Sequence, residues 1–180
     1  QFEQKISDNV DEMTSLVETL LSYARLDQTM VEMNKTQCDF LALVENCIRV
    51  KPNDKQSITL IKPNEYCQLY ADSSYLNILV NNLVENALNY GKKEVSVQLK
   101  VRSNVIVLTV EDDGEGVNSK IKTDILKPFV RGVEQSKAVK GHGIGLAIVK
   151  RIVDWHKGNI DIGESATLGG AKFTITLPKE

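Results

Sequence analysis

At 180 residues the chain suits one domain of ordinary size plus a smaller element. Hydrophobic residues make up 42% and charged residues 26%, a globular composition, and a net charge of -2 excludes the basic field that nucleic acid requires. No apolar run approaches the ~20 residues of a membrane span, no signal peptide is evident, and the start at Gln1 suggests a fragment.

The first segment is expected to be helical. Ile6, Val10, Met13, Val17, Leu20 and Ala24 follow a heptad seam, widened by Leu16 and Leu21, that a lone helix cannot bury. A second helix, from this chain or another copy, must cover it. Tyr23-Ala-Arg-Leu-Asp27 closes the segment, and the polar stretch from Thr29 to Gln37 reads as a linker.

A mixed helix-and-strand region follows. A helix is predicted from Phe40 to Lys51, stopped by Pro52-Asn-Asp, then short strands at Ser57–Ile61 and Cys67–Tyr70. Asp72 or Ser73 can cap a helix running to Tyr90, with Gly91 as its stop. Glu94–Val101 and Val105–Glu111 form a hairpin around Ser103-Asn104. A short helix should run from Asn118 or Ser119 to Leu126, and residues 131–142 read as a flexible loop. Ile144–His156 is a helix ended by Gly158, and Asn159–Gly163 pairs with Ala171–Leu177 across Leu168-Gly-Gly. The interspersed elements predict an α/β sandwich: one mixed sheet covered by helices on one face, preceded by a single amphipathic helix. Cys38, Cys47 and Cys67 lack zinc-site spacing and read as reduced, structural thiols.

Four short motifs carry the chemistry. In Asn82-Leu-Val-Glu-Asn86-Ala, the amides of Asn82, Asn86 and Asn89 share one helical face, apart from the core face of Leu76, Val80, Leu83 and Ala87. Amides are poor helix formers, so propensity does not explain them. A carboxamide oxygen can complete a Mg²⁺ shell already charged by phosphates, and its NH₂ can donate to phosphate oxygens. The plain alternative is a solvated polar face. Asp112 ends the inward row Ile106, Leu108, Val110, and a buried carboxylate needs a donor, such as the exocyclic amine of adenine. Gly114 and Gly116 let the backbone turn tightly beside it. Alone, this could be an ordinary acidic glycine turn.

Lys127-Pro-Phe129-Val-Arg131 offers an apolar lid hinge in Phe129 and, in Arg131, a cation able to reach a terminal phosphate. Gly141-His142-Gly143-Ile-Gly145-Leu146 opens a helix whose N-terminus and preceding amides attract phosphate. It begins no βαβ unit with a downstream acidic residue, which argues against a dinucleotide fold. His142 can border a nucleotide. His156, in the last turn of its helix, is read as structural and favoured there as a cation. Neither histidine sits in a phosphoacceptor-like sequence.

The four motifs in this order resemble the catalytic domain of sensor histidine kinases, in the superfamily shared with gyrase-type ATPases, with its N, G1, F and G2 boxes. The resemblance covers residues 35–180. It places 1–28 as the second helix of the dimerisation domain and 29–34 as a linker. It implies an α+β, Bergerat-type fold that uses ATP and Mg²⁺ and transfers the γ-phosphoryl group to a histidine for relay to a response-regulator aspartate. It also implies a homodimer in the intact protein, the cytoplasmic portion of an inner-membrane sensor, and no nucleic-acid partner. By position, Asn86 would bind Mg²⁺, Asn82 would assist at the phosphates and Asp112 would read adenine. Asn89, Tyr90, Gly114, Gly116, Phe129 and Leu146 would flank the nucleotide, with Gly141, His142, Gly143 and Gly145 in the phosphate loop and Arg131 at the terminal phosphate. Asn89 stands where many relatives carry Lys or Arg. Asn82 stands where ATP-hydrolysing cousins carry Glu, so a gyrase-like clamp is disfavoured. A kinase-like module that only binds is disfavoured by the intact boxes. With no first dimerisation helix in the sequence, self-labelling is not expected.

Overall fold

The computed structural model describes residues 32–50, 55–130 and 143–180, together with the helical positions Thr14, Val17, Leu21 and Ala24, all four exposed. The rest of the expected N-terminal helix, and the expected loop 131–142, lie outside the described residues.

The described elements run β1 (Thr36–Asp39), α1 (Phe40–Arg49), β2 (Ser57–Ile61), β3 (Gln68–Ala71), α2 (Ser73–Tyr90), β4 (Glu94–Val101), β5 (Val105–Asp112), a 3₁₀ turn (Asp124–Leu126), α3 (Gly145–Trp155), β6 (Asn159–Glu164) and β7 (Ala171–Pro178). Five strands form one sheet in the order β2-β4-β5-β7-β6. β2 runs parallel to β4 and the other neighbours are antiparallel. This is the expected mixed sheet, and it belongs to an α+β fold.

Strand alternation builds its inner face. Val97, Val110 and Phe173 stand in register across β4, β5 and β7, as do Leu99, Leu108 and Ile175, and all six are buried. The opposite face is mostly polar, with Ser96, Gln98, Glu111, Thr174 and Thr176. Asp112 occupies the end of the inner row, opposite Val95, and only 1% of its surface is exposed.

Helices cover the apolar face. α2 begins at Asp72, whose Oδ1 accepts from the Ser74 and Tyr75 amides at 3.0 and 3.4 Å. Leu76, Leu79, Val80, Leu83, Val84 and Ala87 recur at helical spacing and are buried. Burying each of the larger side chains contributes about 1.5–3 kcal/mol. α3 buries Ala147, Ile148, Val149, Ile152 and Val153.

The structure corrects several sequence expectations. Thr36 and Gln37 are not linker: with Cys38 and Asp39 they form β1, which pairs with β3 in a separate two-stranded sheet. Thr-Gln-Cys-Asp is short and lacks an apolar alternation, and pairing with β3 makes it a strand. The expected strand Cys67–Tyr70 is shifted by one residue to Gln68–Ala71. The helix expected to end at Leu126 is only a 3₁₀ turn; Asn118 instead accepts from the Lys120 amide through Oδ1 at 3.0 Å. Gly91 does stop α2, but with φ -72° rather than the left-handed geometry of a glycine cap. At the end of α3 it is Lys157, at φ 54°, that turns left-handed, one residue before the expected Gly158. The three cysteines are free thiols, and burial pushes Cys67 up to about 11.

Candidate nucleotide-binding site

One helix carries most of the polar residues singled out from the sequence. Asn82 and Asn86 lie half-buried on α2, away from the core row, while Asn89 is exposed. Asn82 Nδ2 donates to the Ile78 carbonyl at 2.8 Å, and its Oδ1 stands towards Gly145. That oxygen stands 2.7 Å from where a Cβ on Gly145 would be, so a larger residue there would have to displace the Asn82 amide. The Asn86 side chain has no hydrogen-bond partner among the described residues. Gly143 has φ 71° and its carbonyl accepts from the Phe129 amide at 2.9 Å. Phe129 itself has φ 65° and is 62% exposed, a strained backbone close to the end of the described stretch at residue 130. Asn82, Gly143, Gly145 and Phe129 thus gather at the N-terminus of α3. Leu146 differs from the rest: it packs against the core.

The second cluster lies at the far end of α2, eight residues or about 12 Å along the helix from Asn82. Its centre is Asp112. Oδ1 accepts from the Gly114 amide at 2.8 Å and the Ala171 amide at 3.2 Å. Oδ2 is buried and has no partner among the described residues. Burial pushes this carboxyl above its usual range, against the pull of the two backbone donors and with a small push from Asp113. Tyr90 comes to the same place through its backbone: a Cβ on Gly114 would lie 2.3 Å from the Tyr90 carbonyl oxygen. Gly116, at φ 77°, faces Gly170.

Sequence reasoning misses the parts that hold this carboxylate. A Cβ on Gly170 would stand 2.3 Å from both Asp112 O and Asp112 Oδ1, and one on Gly91 3.2 Å from Asp112 Cβ. In the sequence Gly170 is only part of a hairpin turn, because the approach of β7 to β5 is invisible in one dimension. Asp113 carries no sequence signal of its own. Its carboxylate accepts from the Lys92 and Lys93 amides at 2.6 and 3.0 Å, tying the turn after α2 to the loop after β5. Desolvation pushes Asp113 up, but these bonds overcome it and hold the carboxyl below its usual range. The doubled acid Asp112-Asp113 is therefore two devices, one reserved and one structural. Arg131, Gly141 and His142 lie outside the described residues.

His156 is structural, as expected, but not as a cation. It is 4% exposed, and burial lowers its pKa, aided by the Lys35 charge and opposed by the bond to Ile152 and by Asp72.

Comparison with known proteins shows the family and the fold. Residues 71–180 match the family described as histidine kinase-, DNA gyrase B-, and HSP90-like ATPase. The chain is 30% identical over 180 residues to the sensor protein RstB of Escherichia coli K12, covering 97% of this chain and 41% of that protein. It is 29% identical over 179 residues to the sensor histidine kinase CpxA of the same organism, covering 97% and 39%. It therefore spans about two fifths of the length of these relatives. Among solved structures, the Acinetobacter baumannii histidine kinase AdeS superposes with a TM-score of 0.79 at 23% identity, covering 98% of this chain and 83% of that one. The mycobacterial sensor histidine kinase MprB gives 0.69 at 24%, covering 80% and 97%. At these identities the superpositions establish the fold.

Proposed function

Since the chain belongs to the histidine kinase-, DNA gyrase B-, and HSP90-like ATPase family, with sensor histidine kinases as its relatives, we propose that it binds Mg-ATP and passes the γ-phosphoryl group to a histidine of a dimerisation domain, for relay to a response-regulator aspartate. The parent protein is then a dimeric sensor whose catalytic part lies in the cytoplasm; among the described residues no helix is long and apolar enough to cross a membrane.

The observation that carries this reading is the orphaned Oδ2 of Asp112. A buried acceptor without a partner is costly and rare, and it asks for a donor. The exocyclic amine of adenine is such a donor, and guanine has a carbonyl at that position. With the base at Asp112, Asn86 and Asn82 lie progressively farther along α2, towards the glycines at the start of α3. Asn86, with its amide unengaged, fits a Mg²⁺ held mainly by phosphate oxygens. That ion would neutralise phosphate charge. Asn82 cannot take a proton from water at neutral pH, so transfer to a histidine, itself a good nucleophile, is favoured over hydrolysis. Phe129 is assigned to the lid, Arg131 to the terminal phosphate, and Gly141, His142, Gly143 and Gly145 to the phosphate loop. Asn89, Tyr90 and Leu146 are assigned to its flanks.

Two measurements test the proposal together. Calorimetry should show ATP binding that strengthens with Mg²⁺ and exceeds GTP binding. Incubation with γ-labelled ATP should label a supplied histidine-bearing dimerisation fragment and leave this chain unlabelled. Acid-labile label on His142 or His156, or equal binding of GTP and ATP, would count against it.

A further inference from the structure

A second buried polar cluster lies where the N-terminus of α2 meets the C-terminus of α3. Asp72 and His156 are 6% and 4% exposed. The Asp72 amide donates to His156 Nε2 at 3.3 Å, and His156 Nδ1 lies 2.8 Å from the Ile152 carbonyl oxygen. A carbonyl only accepts, so Nδ1 must carry a proton. A backbone N–H only donates, so Nε2 must not. The neutral Nδ1–H tautomer alone satisfies both partners. Beside this pair, Tyr75 and Trp155 meet edge-to-face with ring centroids 5.3 Å apart. The Asp72 side chain is also fully engaged: Oδ1 caps α2, and Oδ2 accepts from the Asn34 amide at 2.8 Å.

The two helices are antiparallel. Besides the core side chains packed between them, they also meet at the close approach of Asn82 to Gly145. Two stiff rods touching at both places cannot shift at one without disturbing the other. We propose that Asp72 and His156 are positioning residues: their contact sets how α3 lies along α2, hence where Gly143 and Gly145 stand relative to Asn82 and Asn86, and it holds only while His156 is neutral. Protonating Nε2 puts a donor against the Asp72 amide. The imidazolium then competes for the Asp72 carboxylate, which caps α2 and holds the chain at Asn34. Two charged groups face the ring, the Lys35 ammonium and the Asp72 carboxylate. The first opposes protonation and the second favours it.

The affinity arm of the test rests on the nucleotide reading above; the spectroscopic arm does not. ATP affinity is measured by calorimetry at pH 7.5 and 5.5 for the wild-type chain and for His156→Gln, whose amide offers one donor and one acceptor and does not titrate. The ratio of the two affinities cancels the titration of the nucleotide itself. It should be near one at pH 7.5 and shift several-fold against the wild type at pH 5.5; an unchanged ratio would overturn the proposal. In the nucleotide-free wild type, ¹⁵N NMR should find the His156 ring as the Nδ1–H tautomer at pH 7.5. The Gly145 amide and Asn82 side-chain signals should then move with the same midpoint as the ring. An Nε2–H ring, or midpoints that do not coincide, would refute it even if Gln fails to fold or no nucleotide binds at any pH. Failure of binding alone would sink only the function.

Discussion

Replacing Asp112 by Asn separates what this residue costs the fold from what it gives the site. The side chain keeps its shape, but one oxygen becomes an NH₂ group, and the surroundings decide which. The Gly114 and Ala171 amides both donate to Oδ1. Turning the amide so that its nitrogen met them would set donor against donor twice. The nitrogen must therefore take the place of Oδ2 and face the base. There it confronts the adenine amine, a single donor–donor clash. The lost charged hydrogen bond and the stranded amine cost about 2–4 kcal/mol. At 1.4 kcal/mol per factor of ten, ATP affinity should fall roughly thirty-fold to several hundred-fold. A purine with a carbonyl at that carbon, such as inosine triphosphate, should lose less or gain.

The unliganded fold should respond in the opposite direction. The folded-state pKa of Asp112 lies above 3.8 because burial penalises the charge. The folded state thus holds this proton more tightly than the unfolded chain. Its contribution to stability is present below about 3.8 and is lost as pH rises through the folded-state pKa. Above that pKa the wild type bears the cost of a buried charge with one oxygen unmet, and the D112N variant bears only that of a neutral amide. Scanning calorimetry should give D112N an equal or higher Tm at pH 7.5, with any advantage shrinking towards pH 4. Wild-type ATP affinity in D112N would refute the base-reading argument. A Tm lowered by several degrees at pH 7.5 would refute the argument about cost.

Asn86→Ala should weaken nucleotide binding in Mg²⁺ but little in chelator, with Tm almost unchanged because Asn86 lies off the core row; equal losses in both conditions would remove the metal role. Gly170→Ala should destabilise by about 1–3 kcal/mol and weaken ATP binding by displacing Asp112, whereas Gly163→Ala, where a Cβ meets nothing within 4 Å, should do neither; urea titration of the two variants compares them. For His156 the folded-state pKa lies below 6.5, so its contribution to stability is present above pH 6.5 and is lost as pH falls through the folded-state value. The wild type should lose Tm across that window more steeply than His156→Gln, and parallel Tm profiles would contradict the burial of a neutral imidazole.

The sequence makes legible whatever periodicity and capping determine. The α2 row from Leu76 to Ala87, its Asp72 cap and the inward parity ending at Asp112 are local or periodic facts, and each agrees with the structure. Illegible are features created by residues distant in sequence. β1 exists because Thr36–Asp39 finds Gln68–Ala71, and nothing in Thr-Gln-Cys-Asp anticipates a partner some thirty residues away. His156 reads as a cation at a helix end because the one-dimensional view cannot show that Asp72 delivers an N–H to it. The helix field there favours charge, but desolvation of a 4% exposed ring outweighs it.

The same distinction explains how Asp112 survives with an unpaired oxygen. A carboxylate with a free torsion would turn until both oxygens found donors. Here Oδ1 is clamped by two amides, and the space around the residue is filled by backbone from three directions. Gly91, Gly114 and Gly170 each come so near that a Cβ would fall within 3.2 Å of an Asp112 atom. Asp113, bonded to the Lys92 and Lys93 amides, fixes the turn next to it. The side chain therefore cannot rotate away, and the chain cannot drift towards it to supply a donor. The unmet acceptor is a property of the whole junction between α2, β5 and β7, built by glycines from three separate stretches of sequence. If, as proposed, Asp112 reads the base, the site needs that rigidity, because any slack would let the protein satisfy the atom itself and lose its reason to bind the base.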